Sequence, residues 1–503
     1  MTSGPPALLR VRAGLLISAR ITLLFSPTAL AFFAGGYFDE ARAWAGLVAW
    51  LLVAVAVGLR AGPAPRGRAA WVTIAGMALL AAWTLVSMVW APLAGSAYHS
   101  GQLVLIYLGI LVASFLLLAS PAARVWVEPA LALGTLIVIG YALSERLLPG
   151  LLHFSRSISA QGRLEQPLTY WNAMGELAAL GFVLWARLAG SAERPRWMRA
   201  TAAAACAPLG LGLYLSFSRG ALFACLAGLV ALLVAAPTRS QLRALAVTVL
   251  AGVVTSAVIG SLHGFTAFAG GLSARERDGA IAMGVLIALM LVAGAAQWFV
   301  ARRETRGVGE VADPDSRRSG GLRLPRGAPW IALVLVCGGL AGAILVGAKE
   351  TTTAPALSNG VSRLTSLQSN RYAYWRVALR AFGDEPVRGV GGGGWAVWWL
   401  RYRTVNAFAQ DAHSLPLQTA AELGLVGLVL LGMLFGGAAA VARQVHRAAP
   451  ALAAGPIAAL VAYAVHAPLD WDWQMPAVTL VAVVLAGMLL GATAPPRSAE
   501  PRA

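Results

Sequence analysis

Charge is scarce in this chain. Of its 503 residues only 12% are Asp, Glu, Lys or Arg, while 58% are hydrophobic, far more apolar surface than one globular core buries. That leaves no room for a soluble domain, so a bilayer must solvate much of the protein. Lysine is almost absent: Lys349 is the only one, and arginine carries nearly all of the net charge of +18. These arginines are scattered between apolar runs and form no basic domain, which argues against a nucleic-acid partner. Cysteine is scarce too. Cys206, Cys225 and Cys337 all fall inside apolar runs, away from any aqueous compartment where a disulfide or metal site forms, and they read as packing residues.

What is present is a succession of apolar runs near the ~20 residues that a spanning helix needs. They lie at 14–35, 43–59, 71–91, 102–118, 127–148, 170–186, 201–217, 221–236, 245–262, 280–300, 329–347, 423–442, 451–467 and 476–492. The expectation is an all-α polytopic integral membrane protein, a single domain over 1–503 with about fourteen transmembrane helices. The first run lacks a small-residue cleavage site and reads as a retained span. It carries Arg20, which is expected to snorkel toward the cytoplasm. Basic residues collect in alternate loops: Arg10 and Arg12; Arg60, Arg66 and Arg68; Arg187, Arg194, Arg196 and Arg199; then Arg302 to Arg326. The intervening short loops Pro92 to Ser100 and Pro468 to Gln474 carry none, which predicts both termini inside. Residues 301–328 mix Pro, Gly, Asp, Ser and Arg without an apolar period and read as a flexible cytoplasmic linker.

One outward segment breaks the charge rule. Between spans eleven and twelve, residues 348–422 form a large loop that holds Lys349, Arg363, Arg371, Arg376, Arg380, Arg388, Arg401 and Arg403. Such an excess asks for an anionic partner, either lipid headgroups or a phosphate-bearing ligand, because the guanidinium fork matches phosphate oxygens. Helical periodicity over 370–382 puts Arg371, Trp375, Ala378 and Phe382 on one face. Arg371 among aromatic neighbours is therefore the better candidate ligand, with Arg376 and Arg380 as secondary candidates elsewhere on the helix. The glycine run Gly389 to Gly394 reads as a tight helix-to-helix turn, since no strand precedes it. Trp395, Trp398, Trp399 and Tyr402 read as headgroup-level anchors. His413 is a candidate general base that nearby arginines would keep neutral, with Asp411 or Glu422 to orient it. Glu145, Glu165 and Glu176 either pair with Arg146 and Arg163 or line an acceptor path. His466, Asp470 and Asp472 form a further outward patch that either contacts sugar or caps a helix turn.

Four elements in order resemble the O-antigen ligase and polysaccharide polymerase superfamily of bacterial membrane glycosyltransferases. They are YLSFSRGAL (214–222), NRYAYWRVALRAFGDEPVRGVGGGGW (370–395), DAHSLPLQTAAELGLVGL (411–428) and HAPLDWDWQMPA (466–477), with GRLEQPLTYWNAMGE (162–176) upstream. The resemblance implies a multi-pass protein of the bacterial cytoplasmic membrane. Such a protein takes a glycan from an undecaprenyl-diphosphate carrier at the outer face and transfers it to an acceptor hydroxyl on a lipid, glycan or protein, without a metal or other cofactor. It further implies that Arg219 and Arg371 hold the diphosphate, that His413 is catalytic, and that residues 201–442 form the core of the site. The helix pair at 245–300 is extra to the usual twelve spans and leaves ligase against polymerase open. A transporter or flippase of lipid-linked oligosaccharides is the alternative, and it would place its polar groups near the bilayer midplane.

Overall fold

In the computed structural model the described residues are 6–267, 270–309 and 369–493, with 327, 334 and 338 as isolated positions. The expected span 329–347, most of the expected linker, and the first part of the outward segment with Lys349 and Arg363 lie outside them. All described secondary-structure elements are helical. Numbered in chain order, the main ones are α1 (Pro6–Ala31), α2 (Asp39–Gly58), α3 (Arg68–Val86), α4 (Ala94–Leu117), α5 (Val127–Leu147), α6 (Trp171–Gly190), α7 (Arg196–Leu215), α8 (Arg219–Ala235), α9 (Arg239–Gly260) and α10 (Leu272–Gly309). After the gap come α11 (Arg371–Asp384), α12 (Trp395–Tyr402), α13 (Leu415–Ala448), α14 (Pro450–His466) and α15 (Pro476–Ala492).

Every other expected span coincides with one of these helices, but the count of about fourteen crossings does not follow. Among the described residues nine helical stretches are long and apolar enough to cross a membrane, and α8, α14 and α15 are shorter apolar helices. At 17 residues each these three reach only about 25 Å at ~1.5 Å per residue, less than the ~30 Å hydrocarbon core. Helix α7, carrying Pro208, is not among the nine. The expected linker is also corrected at its start, because α10 continues as helix to Gly309.

Apolarity around the full circumference predicts burial, and α6 is buried along its length from Asn172 to Gly190. It packs on α7 and α8, while α14 closes over α8. The helix pair α9 and α10 packs on α7, with α9 also touching α6, and much of α10 is exposed. Cys206 and Cys225 are buried free thiols, as their positions predicted. Arg20 does not snorkel to the surface alone. Its Nε donates to the Leu117 carbonyl at 2.9 Å, which satisfies the C-terminal end of α4.

The described part of the segment expected outward forms its own small core, built from Tyr374, Val377, Ala378, Ala381, Val390, Trp395 and Trp399. Trp395 and Trp399 are fully buried and stack at 5.7 Å. The expectation that they anchor the segment at the headgroups is therefore corrected: two large rings four residues apart are worth more inside a core than at an interface. This core is joined to the bundle through a broken helix. Gly424 interrupts α13 with φ 65° and ψ −158°, and the glycine turn enters the break. Val390 N donates to Ala421 O at 2.9 Å and Gly391 N to Glu422 O at 2.8 Å. On the other side Leu425 N donates to Pro386 O at 2.8 Å. Backbone groups freed by a break must find protein partners at membrane depth, and residues 386–391 supply them. Close approach explains the glycines: a Cβ on Gly389 would lie 2.3 Å from the Glu422 backbone, and one on Gly424 2.3 Å from Val387 O.

Candidate functional site

Arg371 opens α11 and is half-buried. The buried face of this helix is Ala373, Tyr374, Val377, Ala378 and Ala381, one position round from the face the periodicity suggested. Arg371 stands at the start of that face, and its Nη2 makes an ion pair with Asp470 Oδ2. Asp470 is fully buried, and its second oxygen accepts from the Tyr170 hydroxyl at 2.7 Å and from Trp471 N at 2.9 Å. Asn172 Nδ2 in turn donates to the Tyr170 oxygen at 2.7 Å. Three separate stretches of chain therefore converge on one carboxylate. Burial alone would lift the Asp470 pKa, but the adjoining guanidinium outweighs it and holds the group below the usual carboxylate range. The same pairing raises the Arg371 pKa against the desolvation that opposes it.

His413 lies beside this pair. Its ring sits 5.1 Å from that of Tyr374 and 6.0 Å from that of Trp471. Its backbone is left-handed at φ 53°, which costs about 1 kcal/mol for a residue with a Cβ. Neighbouring bonds hold it there: Ala412 N donates to Gln418 Oε1 at 3.1 Å, and Leu415 N to Ala467 O at 2.9 Å. His413 Nδ1 lies 2.9 Å from the Asp411 carbonyl oxygen. A carbonyl only accepts, so this contact assigns the proton to Nδ1 and leaves Nε2 as the proton-accepting nitrogen. Desolvation pushes the His413 pKa down to about 4, with Asp470 opposing and Arg371 assisting. The arginine effect expected from the sequence is real, but burial comes first.

The expected orienting role of the Asp411 and Glu422 carboxylates is corrected by their partners. The Asp411 carboxylate accepts from Gln418 Nε2 at 2.9 Å, and only its backbone carbonyl reaches His413. Glu422 Oε1 accepts from Gln418 at 3.2 Å and from Trp395 N at 3.4 Å, so it ties the glycine turn to α13. Arg376 and Arg380 remain on the exposed face of α11. The first bonds the Tyr372 carbonyl at 3.3 Å, and the second stacks over Tyr402 at 3.8 Å. The fold does not bring them to Arg371. Of the glutamates left open, Glu145 pairs with Arg156 at 2.8 Å, Glu165 holds Ser157 N at 2.7 Å, and Glu176 faces His466 at 3.9 Å.

Arg219 is the first residue of α8, following the N-cap Ser218, whose hydroxyl accepts from Ala221 N at 3.3 Å. The next residue, Gly220, abuts the ring of His466: a Cβ there would lie 3.0 Å from Nε2. His466 Nδ1 pairs with Asp472, and Asp472 belongs to the same loop as Asp470. The SRG turn and Arg371 thus contact opposite ends of residues 466–472, at one end of the bundle.

Sequence reasoning missed three residues here. Tyr170 and Asn172, at the start of α6, fall in the stretch 162–176 that carries part of the resemblance, but nothing there singled out these two side chains. Arg42, buried at the start of α2, donates to the Gln474 carbonyl at 3.2 Å and lies over Tyr37 at 5.3 Å; an arginine at the entrance to the apolar run 43–59 was the available hint. Among the described residues no group of three or more His, Cys, Asp and Glu is placed to hold a metal ion. A cleft lined by Ser100, Gln418, Glu422, Asp470, Trp473 and Gln474 opens beside Asp470.

The fold and the site together define a polytopic helical membrane protein that carries an arginine–histidine site on a small lobe plugged into a broken helix. Residues 264–432, about a third of the chain, match the family model described as O-antigen ligase, which supports a membrane glycan-transfer function. The matched span contains Arg371 and His413; Arg219 and Asp470 lie outside it. No curated protein matches the chain.

Proposed function

We propose that this protein transfers a glycan from an undecaprenyl-diphosphate carrier to an acceptor hydroxyl at the outer face of a bacterial cytoplasmic membrane. The observation that carries this reading is the pairing of Arg371, fixed by a buried carboxylate, with His413, whose Nε2 is left to accept a proton. The acceptor oxygen attacks the anomeric carbon, the C–O bond to the diphosphate breaks, and the electron pair leaves with the diphosphate. His413 Nε2 takes the acceptor proton. Arg371 and Arg219 hold the diphosphate and stabilise the charge that develops there, as a divalent cation does in other transferases. In-line attack inverts the anomeric centre. Acceptors of this class include a lipid core, a growing polysaccharide, a wall glycan and a protein hydroxyl.

Purified protein given a defined undecaprenyl-diphosphate glycan and a panel of acceptors is expected to form product with turnover unchanged by EDTA. Loss of turnover on chelation, restored by a divalent cation, would overturn the metal-free mechanism.

We further propose that both termini are cytoplasmic, which the loop arginines support. Single cysteines placed at Ser96 and Glu193, in a protein with its native cysteines replaced, are expected to react with an impermeant maleimide from opposite sides of the membrane. Labelling of Glu193→Cys from outside would reverse the orientation.

A transporter draws on one observation, the break in α13 at Gly424. The turn at 386–391 fills that break with backbone hydrogen bonds, so the opening that transporters use to bind ions or substrate is already occupied.

A further inference from the structure

Asp470 is a buried carboxylate held by three partners at the site, and the transfer mechanism gives it no step. It is fully buried, pairs through one oxygen with Arg371, and accepts through the other from Tyr170 and Trp471. A buried carboxylate is costly unless charge and hydrogen bonds compensate it, and here all the compensation comes from site residues. Trp471, bonded by its own N–H to Asp470, stands edge-on to the His413 ring at 6.0 Å.

We propose that Asp470 is the positioning residue of this site: it holds the Arg371 guanidinium ready for an anionic ligand, and its negative charge faces the proton that His413 takes up. The inference rests on the glycan-transfer reading and extends it. An arginine on a flexible stem loses rotamer freedom when it grips a diphosphate; one already gripped by a buried carboxylate has lost it beforehand. One terminal nitrogen pairs with Asp470 and the guanidinium also meets the Tyr170 hydroxyl; with five N–H donors, the fork has others to offer phosphate oxygens. When His413 becomes an imidazolium beside Arg371, two cations lie close together, and Asp470 is the anion that offsets them.

Asp470→Asn keeps the shape of the side chain and removes the charge. Transfer by full-length Asp470→Asn protein in nanodiscs is expected to fall about 100-fold in kcat, with the acid limb of the remaining activity moved to lower pH, because His413 loses the charge that raised its proton affinity. Tyr170→Phe removes the hydroxyl's hydrogen bonds to Asp470 and Asn172 and no charge; it is expected to raise the donor KM several-fold and leave the limb in place. A readout independent of turnover is the rate at which phenylglyoxal modifies Arg371, followed by peptide mass spectrometry. That rate is expected to rise several-fold in Asp470→Asn while Arg380 reacts as in the parent, which also reports an intact fold. Parent-like kcat, or an unchanged Arg371 rate with an intact fold, would overturn the proposal. If the parent protein shows no transfer at all, the glycan-transfer reading fails, and the Arg371 rate alone still decides whether Asp470 holds the guanidinium.

Discussion

Replacing His413 with alanine is expected to lower kcat by about 10²–10⁴-fold, the usual contribution of a positioned general base, while membrane insertion and donor binding persist. The His413 loop is held by Ala412 N to the Gln418 side chain and Leu415 N to the Ala467 carbonyl, bonds that do not use the imidazole, so truncation costs the loop only the Nδ1 contact with the Asp411 carbonyl. The sign of the pH effect follows from the base role: turnover needs neutral His413 and falls as pH drops through its pKa. Desolvation and Arg371 lower that pKa from the ordinary 6.5 to about 4 in the free protein. The acid limb of kcat/KM, which reports the free enzyme, is therefore expected well below 6. The donor is a diphosphate diester without a near-neutral ionisation, so the limb belongs to the protein. Full transfer by His413→Ala protein at normal abundance would remove His413 from the mechanism.

Arg371→Lys is expected to cost about 10²–10³-fold in kcat, comparable with loss of one preorganised donor to a developing anion. Lysine keeps the charge and can still pair with Asp470, so the buried carboxylate is not stranded. What it loses is the planar fork, which can grip Asp470 with one nitrogen and still present further donors to phosphate. Arg371→Ala is the less informative change, because an orphaned buried Asp470 costs roughly 3–5 kcal/mol of stability and confounds the kinetics. Guanidinium added to Arg371→Ala protein that does fold should restore part of the activity. Parent-like turnover in Arg371→Lys protein would mean that charge alone suffices at this position.

Much of the architecture was legible before any coordinates. The apolar runs located the helices because lipid solvation demands long stretches without charge, and that signal is local. Arg371 was legible for the same kind of reason: a cation set among aromatic residues on one helical face breaks amphipathic order. The outer tryptophans were misjudged because interface anchoring and core burial call for the same residue type, and only packing partners separate them.

Composition and spacing thus determined that this chain is a membrane protein, where its helices run, and that residues 348–422 are rich in arginine. Only the tertiary structure decided which charges meet. Asp470 is 99 residues from Arg371 and 300 from Tyr170, and Arg376 and Arg380, on the same helix as Arg371, were left on its exposed face. A carboxylate's partner is set by helices packing across the bundle, which no local periodicity encodes. The filling of the break at Gly424 by residues 386–391 is of the same kind. The glycine run announced a turn while Gly424 lay inside an expected span, and the hydrogen bonds that join the two exist only once the chain has folded back on itself.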